Sequence, residues 1–260
     1  MLLSGKTIIV TGVGPGMGSK LCQQAAREGA NVVLAARSTQ FVQTLAEDIR
    51  AAGGQALAVA ADVGKKADCA RVAEAAVQAF GAIQGLVNSA YRPGAFTPFE
   101  EADLDDWRAS MEVTLFGSLQ MIQAVLPAMR AAGGGSIVNI STMEARKPIA
   151  THGSYTVSKA ALHASTRQLA LELGRFNIRV NNAVIGWMWG ATVEGYMAEM
   201  AKQSGIAAET LVAQIAANIP LGRIPPDGDC GKAVLMLLSD YCSEVTGAAL
   251  DVNGGDFLSL

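Results

Sequence analysis

The sequence predicts an α/β protein built on a parallel sheet of about seven strands, with helices packed on both faces in the doubly wound arrangement. Three observations predict this fold class. Short apolar runs typical of strands alternate with segments whose apolar residues recur at helical spacing. Those runs are continuously apolar, as expected for strands that are buried on both faces. The chain, with 260 residues of which 50% are hydrophobic, is also long enough to bury a large core in one domain.

The strands are expected at the short apolar runs that glycine or polar residues bound on each side. In chain order these runs lie at 7–11, 31–35, 56–60, 85–88, 136–140, 179–185 and 249–252. Helices are expected between them, where apolar residues recur every three to four positions. In chain order these segments cover 16–28, 40–51, 66–80, 104–131, 155–173 and 230–239. Because helices alternate with strands, the strands are predicted to run parallel.

One segment, 186–227, departs from this alternation. It joins the sixth strand to the last helix and contains two further helical patterns, near 193–203 and 208–218, but no strand pattern. The sequence shows no internal repeat, no low-complexity segment and no linker. We therefore predict a single domain over 1–260, in which 186–227 is an insertion that covers the substrate as a lid.

Composition and charge argue against several functions. The net charge is −3 and no run of Lys or Arg exceeds two residues, so nucleic-acid binding is not expected. No apolar run approaches the roughly 18–20 residues of a membrane span, and the chain enters its first strand too early for a signal peptide. The cysteines are scattered without a C-x-x-C pair, so we expect reduced thiols, no metal site and a cytoplasmic protein. They are Cys22, Cys69, Cys230 and Cys242.

A glycine-rich turn at 11–18 joins the first strand to the first helix. Glycines at this place let backbone N–H groups approach a diphosphate, and the helix N-terminus adds a favourable positive potential. The strict G-x-G-x-x-G fingerprint is not met, because Met17 stands three residues after Gly14; the spacing present is T-G-x-x-x-G-x-G. Plain turn chemistry is the alternative, but the position between strand and helix favours phosphate binding. The residues assigned to a dinucleotide here are Gly12, Gly14, Pro15, Gly16, Met17 and Gly18.

Tyr155 and Lys159 are four residues apart at the start of the predicted helix 155–173. Residues four apart stack on one helix face, so the phenol and the ammonium point the same way. A phenol ordinarily has a pKa of about 10, and a nearby cation lowers that pKa by stabilising the phenolate. Such a phenol can transfer a proton at neutral pH. A Tyr-x-x-x-Lys pair also arises by chance, so its meaning depends on the rest of the site.

Together, the glycine-rich turn and the Tyr155–Lys159 pair resemble the short-chain dehydrogenase/reductase family. The Arg-Val-Asn at 179–181 and the ending at 247–255 are similar to that family as well, so the resemblance extends over the whole chain. It implies a single Rossmann-type domain, a nicotinamide cofactor, and hydride transfer between an alcohol and a carbonyl compound. Tyr155 would transfer the proton, while Lys159 would lower the pKa of the phenol and hold the nicotinamide ribose.

The resemblance assigns two more residues to catalysis, and each departs from the family pattern. Counting back from Tyr155, Thr142 takes the place of the catalytic serine, and its hydroxyl can still bond a substrate carbonyl. Ser141 should turn to the other face of the strand. Thr114 stands where the family usually carries a catalytic asparagine, which holds a water that links the lysine to solvent. A threonine hydroxyl is shorter and often bonds its own helix backbone, so we expect a slower proton relay.

The identity of the cofactor is predicted from the end of the second strand, where doubly wound folds bind the adenosine ribose. Ala36 occupies the place where NAD users tend to carry an acid, and Arg37 follows it. A guanidinium pairs well with a 2′-phosphate, so NADP(H) is favoured over NAD(H); a solvated arginine at a strand end is the alternative. Asp62, with Val63, resembles the family's adenine contact, or else caps the next helix.

Other departures surround the expected nicotinamide and substrate. Asn88 and Ala90 keep the family pattern after the fourth strand, but Tyr91 replaces a glycine and should narrow the passage beside the cofactor. Gly186 and Met188 follow the sixth strand, where a contact to the carboxamide is expected. Bulky apolar side chains of 186–227 could line a substrate pocket or equally be buried lid packing. The residues assigned to the substrate pocket are Tyr91, Glu144, Trp187, Trp189 and Tyr196.

The two histidines are given no catalytic part. His152 lies three residues before Tyr155, but Tyr155 already fills the role of acid and base, and we read His152 as a loop residue. His163, on the helix 155–173, is expected at an interface or in packing.

Small and apolar residues occupy more than one side of the helices 104–131 and 155–173. In the family such helices pack across two-fold axes, so we expect a homotetramer, or failing that a dimer.

These assignments predict an NAD(P)(H)-dependent oxidoreductase that interconverts a secondary alcohol and a ketone, or another carbonyl, on an apolar small molecule. A cofactor-binding regulatory or scaffold protein with weak turnover is the first alternative, supported by Thr114 and opposed by the intact Tyr155–Lys159 pair. An isomerase or dehydratase on the same scaffold is the second alternative.

Overall fold

The structure, a computed structural model, describes residues 1–258. The strands in this part of the chain are β1 Thr7–Thr11, β2 Asn31–Ala36, β3 Gln55–Ala60, β4 Gly85–Asn88, β5 Gly135–Thr142, β6 Ile178–Ile185 and β7 Ala249–Val252. They form one sheet in the order β3-β2-β1-β4-β5-β6-β7, and every neighbouring pair is parallel. The predicted fold class, a Rossmann-type doubly wound sheet of about seven strands, is therefore confirmed.

Helices occupy the connections between strands, as the apolar periodicity predicted. Their bounds are α1 Met17–Arg27, α2 Thr39–Ala51, α3 Lys66–Phe80, α4 Leu104–Met111, α5 Gly117–Ala131, α6 Gly153–Leu173, α7 Ala191–Ser204, α8 Ala208–Ala217 and α9 Asp227–Leu238. The continuous helix expected over 104–131 is wrong in one respect. Five residues, Glu112–Phe116, form a π-helical turn between α4 and α5. Turns of this kind often occur at functional sites.

Alternate residues of each strand build one core on each side of the sheet. From β1, Ile8 and Val10 pack on the face that α1, α2 and α9 cover, where Leu21 and Val234 are fully buried. Ile9 packs on the opposite face, which α3, α5 and α6 cover. Both faces of the central strands are therefore removed from water, which explains why their sequences are continuously apolar rather than alternating.

The strand order reverses between β1 and β4. The chain builds β1, β2 and β3 outward to one side, and β4 then returns to lie beside β1. In a doubly wound sheet, ligands bind at the carboxyl ends of the strands beside this reversal. The turn after β1, the loop after β4 and the end of β5 meet at that edge.

The segment 186–227 contains α7 and α8 and contributes no strand to the sheet. Its two ends nevertheless pair with each other in one parallel bridge between Trp189 and Pro226. The N–H of Trp189 donates to the carbonyl of Pro225 at 2.8 Å, and the N–H of Asp227 donates to the carbonyl of Trp189 at 2.9 Å. The two chain segments that lead into α7 and out of α8 are therefore hydrogen bonded to each other.

The four cysteines are buried and unpaired, as expected of thiols that serve packing. Burial raises the pKa of Cys69 and of Cys230 to about 11, which disfavours the reactive thiolate. None of the helices in the described chain has the length and apolar content needed to cross a membrane.

Candidate active site

The turn after β1 leaves room for a diphosphate. Gly12 adopts a φ of 69°, and a Cβ at this position would overlap the backbone of Ala90, so the turn packs directly on the loop after β4. By contrast, a Cβ added at Gly14 or Gly16 would meet no heavy atom within 4 Å. No side chain caps α1, and its first turn carries no acid. Its N–H groups and its positive end therefore suit an anion.

The far end of the expected dinucleotide site lies at the ends of β2 and β3. Arg37 is exposed, and within residues 1–258 it makes no hydrogen bond or ion pair. Asp62 Oδ1 accepts the N–H of Gly64 at 3.0 Å, so it closes a turn and does not cap α3, which begins at Lys66. Val63 is buried against the start of α5. This edge leaves a guanidinium and a carboxylate available to a nucleotide.

Three of the four residues predicted to be catalytic meet at the end of β5. Thr142 is the last residue of β5, and its hydroxyl, which accepts the N–H of Glu144 at 3.3 Å, lies close enough to the phenol of Tyr155 in the first turn of α6 to influence its pKa. Lys159 follows one turn later and is buried, and its Nζ donates to the carbonyl of Ile140 at 2.5 Å. The predicted helical spacing therefore brings the phenol and the lysine to the same side of α6.

Burial shifts the pKa values of these two groups in opposite directions. It raises the pKa of Tyr155, and the nearby hydroxyl of Thr142 opposes this rise. The lowered phenol pKa expected from Lys159 is therefore not found in the free protein, because burial outweighs it. Burial lowers the pKa of Lys159 to about 7, because the ammonium is removed from water. The protonated phenol is therefore favoured at neutral pH, and the ammonium form of Lys159 is less favoured than that of an exposed lysine.

Tyr91 lies against this pair rather than only at the mouth of the site. Its ring centroid is 5.8 Å from that of Tyr155, with the two planes inclined by 66°. The Nζ of Lys159 lies 5.1 Å from the centroid of the Tyr91 ring. The sequence assigned Tyr91 to the substrate pocket, narrowing the passage beside the cofactor, but gave no signal that its ring would lie against the lysine.

Thr114 is fully buried within the π-helical turn. Its Oγ1 accepts the N–H of Arg92 at 3.3 Å, and its carbonyl accepts the hydroxyl of Ser118 at 2.8 Å. Among the described residues, its hydroxyl makes no hydrogen bond with Lys159 or Tyr155. The hydroxyl of Thr114 makes no hydrogen bond to the backbone of its own helix among the described residues. It is linked to the site only through Arg92, in the loop that follows β4.

A second polar cluster stands beside Tyr155. Glu144 Oε2 lies 2.9 Å from Nδ1 of His152 and accepts the hydroxyl of Thr156 at 3.3 Å. The imidazole stacks on the ring of Phe96, with centroids 4.3 Å apart. The charge of Glu144 contributes to the raised pKa of Tyr155. The sequence assigned Glu144 to the pocket, but neither the partnership with His152 nor the part of Phe96 followed from any motif.

Some of the bulky residues of 186–227 line a cavity between α7 and α8, and others do not. The rings of Trp187 and Tyr196 lie 6.2 Å apart and belong to a cavity of about 240 Å³ between α7 and α8. Trp189 does not line this cavity; its backbone forms the bridge with Pro226. Met197 is buried, as lid packing requires. The cavity is lined by Trp187, Tyr196, Met197, Met200, Leu211, Gln214, Ile215 and Asn218.

The remaining predicted cofactor residues lie at the strand ends. Asn88 is buried, and its Nδ2 donates to Oδ1 of Asn139 at 2.9 Å, which ties β4 to β5. A Cβ at Gly186 would stand 2.6 Å from Cβ of Asn253, so the chain after β6 packs on the loop after β7. Met188 is partly buried against the core on the α1 side.

Ser141, the neighbour of Thr142 in β5, is oriented as the strand alternation predicted. The hydroxyl of Ser141 lies 3.3 Å from Nδ1 of His163 and so faces away from Tyr155. Burial, with the charges of Arg146 and Arg167, lowers the pKa of His163. His163 is thus packed beneath the site.

The chain matches a described protein family and several proteins of named activity. A family model described as Enoyl-(Acyl carrier protein) reductase matches residues 12–256. The 2,5-dichloro-2,5-cyclohexadiene-1,4-diol dehydrogenase LinX of Sphingobium indicum is 32% identical over 255 residues, which cover 97% of this chain and 96% of the relative.

Two solved structures are similar over nearly their whole length. L-sorbose reductase from Gluconobacter frateurii, complexed with NADPH and L-sorbose, has a TM-score of 0.94 at 28% identity, with 100% of both chains covered. A 7 alpha-hydroxysteroid dehydrogenase, complexed with NADH and 7-oxo glycochenodeoxycholic acid, has a TM-score of 0.87 at 32% identity. That match covers 97% of this chain and 94% of the other.

Proposed function

Because the chain belongs to the short-chain dehydrogenase/reductase family, we propose that it interconverts a secondary alcohol and a ketone, or another carbonyl, on an apolar small molecule. It is an NAD(P)-dependent oxidoreductase acting on CH–OH groups, as its relatives are. The observation that carries the proposal is the contact of Tyr155 with Thr142, beside the buried Lys159.

The residues present fit a nicotinamide dinucleotide. The uncapped start of α1 and the open space at Gly14 and Gly16 suit its diphosphate, and Arg37 is available to its ribose. Lys159 would hold the nicotinamide ribose. When bound, the cofactor supplies or accepts the hydride that the reaction transfers. The further proposed contacts are Asp62, Val63, Asn88, Ala90, Gly186 and Met188.

In the direction of carbonyl reduction, the site works by proton donation and by orientation. Tyr155 is protonated at neutral pH because burial raises its pKa, so it is ready to donate a proton to the carbonyl oxygen of the substrate. Thr142 orients that oxygen through its hydroxyl. The cationic form of Lys159 stabilises the phenolate left behind. These groups act by placement and by stabilising charge that develops on oxygen.

The preference for NADP(H) rests on the end of β2. Arg37 is exposed there without a protein partner among residues 1–258, and Ala36 leaves the position without an acid. A guanidinium in this state suits a 2′-phosphate, which it can bond in bidentate fashion. The two similar structures carry NADPH in one case and NADH in the other, so they support a nicotinamide cofactor without choosing between the two forms.

The apolar substrate is supported by the side chains of 186–227, which we propose as a lid on a single domain. Trp187, Tyr196 and the neighbouring methionines line a cavity between α7 and α8 that is surrounded mostly by apolar side chains. One similar protein is complexed with a steroid derivative and another with a sugar, so family membership alone does not define the polarity of the substrate.

The lid should be more mobile without ligand than the sheet beneath it. Its helices α7 and α8 add no strand to the sheet, and lids that close over a site come from the less stable parts of a fold. Hydrogen–deuterium exchange should show fast exchange over α7 and α8 that slows when NADPH and substrate are added. Slow exchange that ligands leave unchanged would refute the lid.

A homotetramer is the proposed assembly. Val157 and Leu171 on α6 and Phe116 at the π-helical turn leave apolar side chains exposed on the two helices expected at a two-fold axis. Burying them between copies would complete a closed, symmetric oligomer. Light scattering at micromolar concentration should give four times the mass of the chain. A dimer would retain one of the two interfaces, whereas a monomer would contradict the proposal.

The direct test of the activity is an absorbance assay of nicotinamide oxidation and reduction. NADP(H) and NAD(H) are each run against ketones and secondary alcohols that range from steroids to sugars. We expect turnover, faster with NADP(H), and higher kcat/KM for bulky apolar substrates than for small charged ones. Cofactor binding without turnover on any substrate would instead favour the regulatory or scaffold alternative. Product formation without net change in cofactor absorbance would favour an isomerase or dehydratase.

A further inference from the structure

Two departures from the family pattern, Tyr91 and Thr114, are joined in the structure. They are separated by more than twenty residues of sequence and lie on different elements. Thr114 Oγ1 accepts the N–H of Arg92, the residue that follows Tyr91, at 3.3 Å. The hydroxyl that was expected to serve a proton relay is therefore engaged by the backbone of the loop that carries Tyr91.

The side chain of Arg92 fixes the same loop to α4. Its Nη1 donates to Oδ1 of Asp106 at 2.5 Å, to the carbonyl of Asp106 at 3.1 Å and to Oγ of Ser110 at 3.3 Å. Asp106 Oδ2 in turn accepts the N–H of Ala95 at 3.0 Å. Hydrogen bonds from Ala95 and Arg92 hold the pKa of Asp106 below its usual range, so this carboxylate stays charged at neutral pH.

The turn of this loop is closely packed. Gly94 has a φ of 70°, which favours glycine, and a Cβ there would overlap Oγ of Ser154, the residue before Tyr155. The loop is therefore held from three sides, by α4, by the π-helical turn and by the start of α6. A ring carried on so constrained a loop has a defined position.

The ring of Tyr91 offers the ammonium of Lys159 a favourable electrostatic partner, and few other groups around Lys159 do so. The Nζ has one hydrogen-bond acceptor among the described residues, the carbonyl of Ile140, and no carboxylate partner there. Burial therefore disfavours the ammonium form. The Nζ lies 5.1 Å from the centroid of the Tyr91 ring, and a cation within about 6 Å of a ring centroid is attracted to its negative face.

We infer that Tyr91 is a further positioning residue of the active site, which stabilises the ammonium form of Lys159 beside Tyr155. Thr114 positions Tyr91 in turn, through the N–H of Arg92. The inference rests on the proposed function for its catalytic meaning. The contact itself is a property of the free protein, so it can be tested without any substrate.

The test is a pH titration of Lys159 by NMR in the full chain, labelled with ¹³C at the lysine ε-carbon. The resonance is assigned by its loss in Lys159→Met. In the unsubstituted protein its midpoint should lie at about 7. Tyr91→Leu removes the π face and should lower that midpoint by about half a pH unit or more, since the cation loses its partner. Tyr91→Phe keeps the ring and should leave the midpoint unchanged.

Thr114 is tested in the same titration. Thr114→Val removes the acceptor for the N–H of Arg92 and should lower the Lys159 midpoint, as Tyr91→Leu does. Thr114→Ser keeps the hydroxyl and should leave the midpoint at the value of the unsubstituted protein. In the double variant Tyr91→Leu/Thr114→Val, the second change should add little, because both act through one ring. Tyr196→Leu is the matched control, since Tyr196 and Tyr91 are each 45% exposed; it should not move the midpoint.

Two outcomes overturn the inference. A Lys159 midpoint that is unchanged or raised in Tyr91→Leu, in a variant that still unfolds cooperatively on heating, would show that the ring does not stabilise the ammonium. Independent shifts that add in the double variant would show that Thr114 acts by another route, such as a water relay. Either result with intact alcohol and ketone turnover leaves the proposed function standing, whereas the expected shifts without any turnover would refute that function alone.

Discussion

Replacing Tyr155 by phenylalanine should lower kcat for ketone reduction by about 10²–10⁴-fold, the usual contribution of a positioned proton donor. The ring and its packing against Tyr91 remain, but the hydroxyl beside Thr142 that donates the proton is lost. NADPH affinity should change little, because the diphosphate and the adenosine ribose are held at the other end of the site. Steady-state kinetics with a fluorescence titration of NADPH separate the two effects.

The pH dependence should identify the same group. Because burial raises the pKa of Tyr155, the phenol is protonated through neutral pH, and carbonyl reduction does not require its ionisation. Alcohol oxidation needs the phenolate as base, so its kcat/KM should rise with pH on the acid side of that pKa. Tyr155→Phe should abolish this rise. Tyr241→Phe is the control, since it removes an exposed phenol remote from the site, and it should leave both reactions unchanged. If Tyr155→Phe is as active as the unsubstituted protein, Tyr155 is not the acid.

Arg37→Ala should weaken NADPH binding by about ten- to a hundredfold and leave NADH binding nearly unchanged. A charge-assisted, bidentate contact with the 2′-phosphate is worth about 1.5–3 kcal/mol, which is that range of affinity. NADH lacks this phosphate, so it loses nothing when the guanidinium is removed. Isothermal titration of both cofactors against both proteins measures the difference.

Arg108→Ala is the matched control for net charge. Arg108 is an exposed arginine of α4 that pairs with Asp105, and its removal changes the charge of the protein by the same amount. If it weakens NADPH binding as much as Arg37→Ala does, the effect of Arg37 is long-range attraction and not a contact. Tighter binding of NADH than of NADPH by the unsubstituted protein would reject the NADP(H) preference.

The sheet could be predicted closely from sequence because it is buried on both faces. Each central strand is a short, continuously apolar run, and the ends of such runs are marked by glycine or polar residues. The relation between Tyr155 and Lys159 was also predictable, since spacing of four on a helix fixes direction. The open turn at Gly14 and Gly16 followed from its place between β1 and α1.

The features that were not predicted depend on backbone hydrogen bonding and side-chain contacts that the pattern of residue types does not report. The π-helical turn at Glu112–Phe116 shifts hydrogen bonding by one residue, and the apolar pattern on either side does not report that shift. The position of the Tyr91 ring depends on how Arg92 pairs with Asp106 on α4. The pairing of Glu144 with His152 lies within the connection between β5 and α6, and no motif in that connection indicates it.

The central claim is that hydride passes between a nicotinamide and a substrate carbon, and isotope transfer tests it most directly. The protein is given NADPH carrying deuterium at the transferable position of the nicotinamide, together with a ketone that the assay has identified as a substrate. Mass spectrometry of the alcohol should find one deuterium on the carbon that bore the carbonyl oxygen, in amounts equal to the cofactor oxidised, and Tyr155→Phe should form almost none. Product without deuterium, or product formed with no cofactor oxidised, would contradict the account.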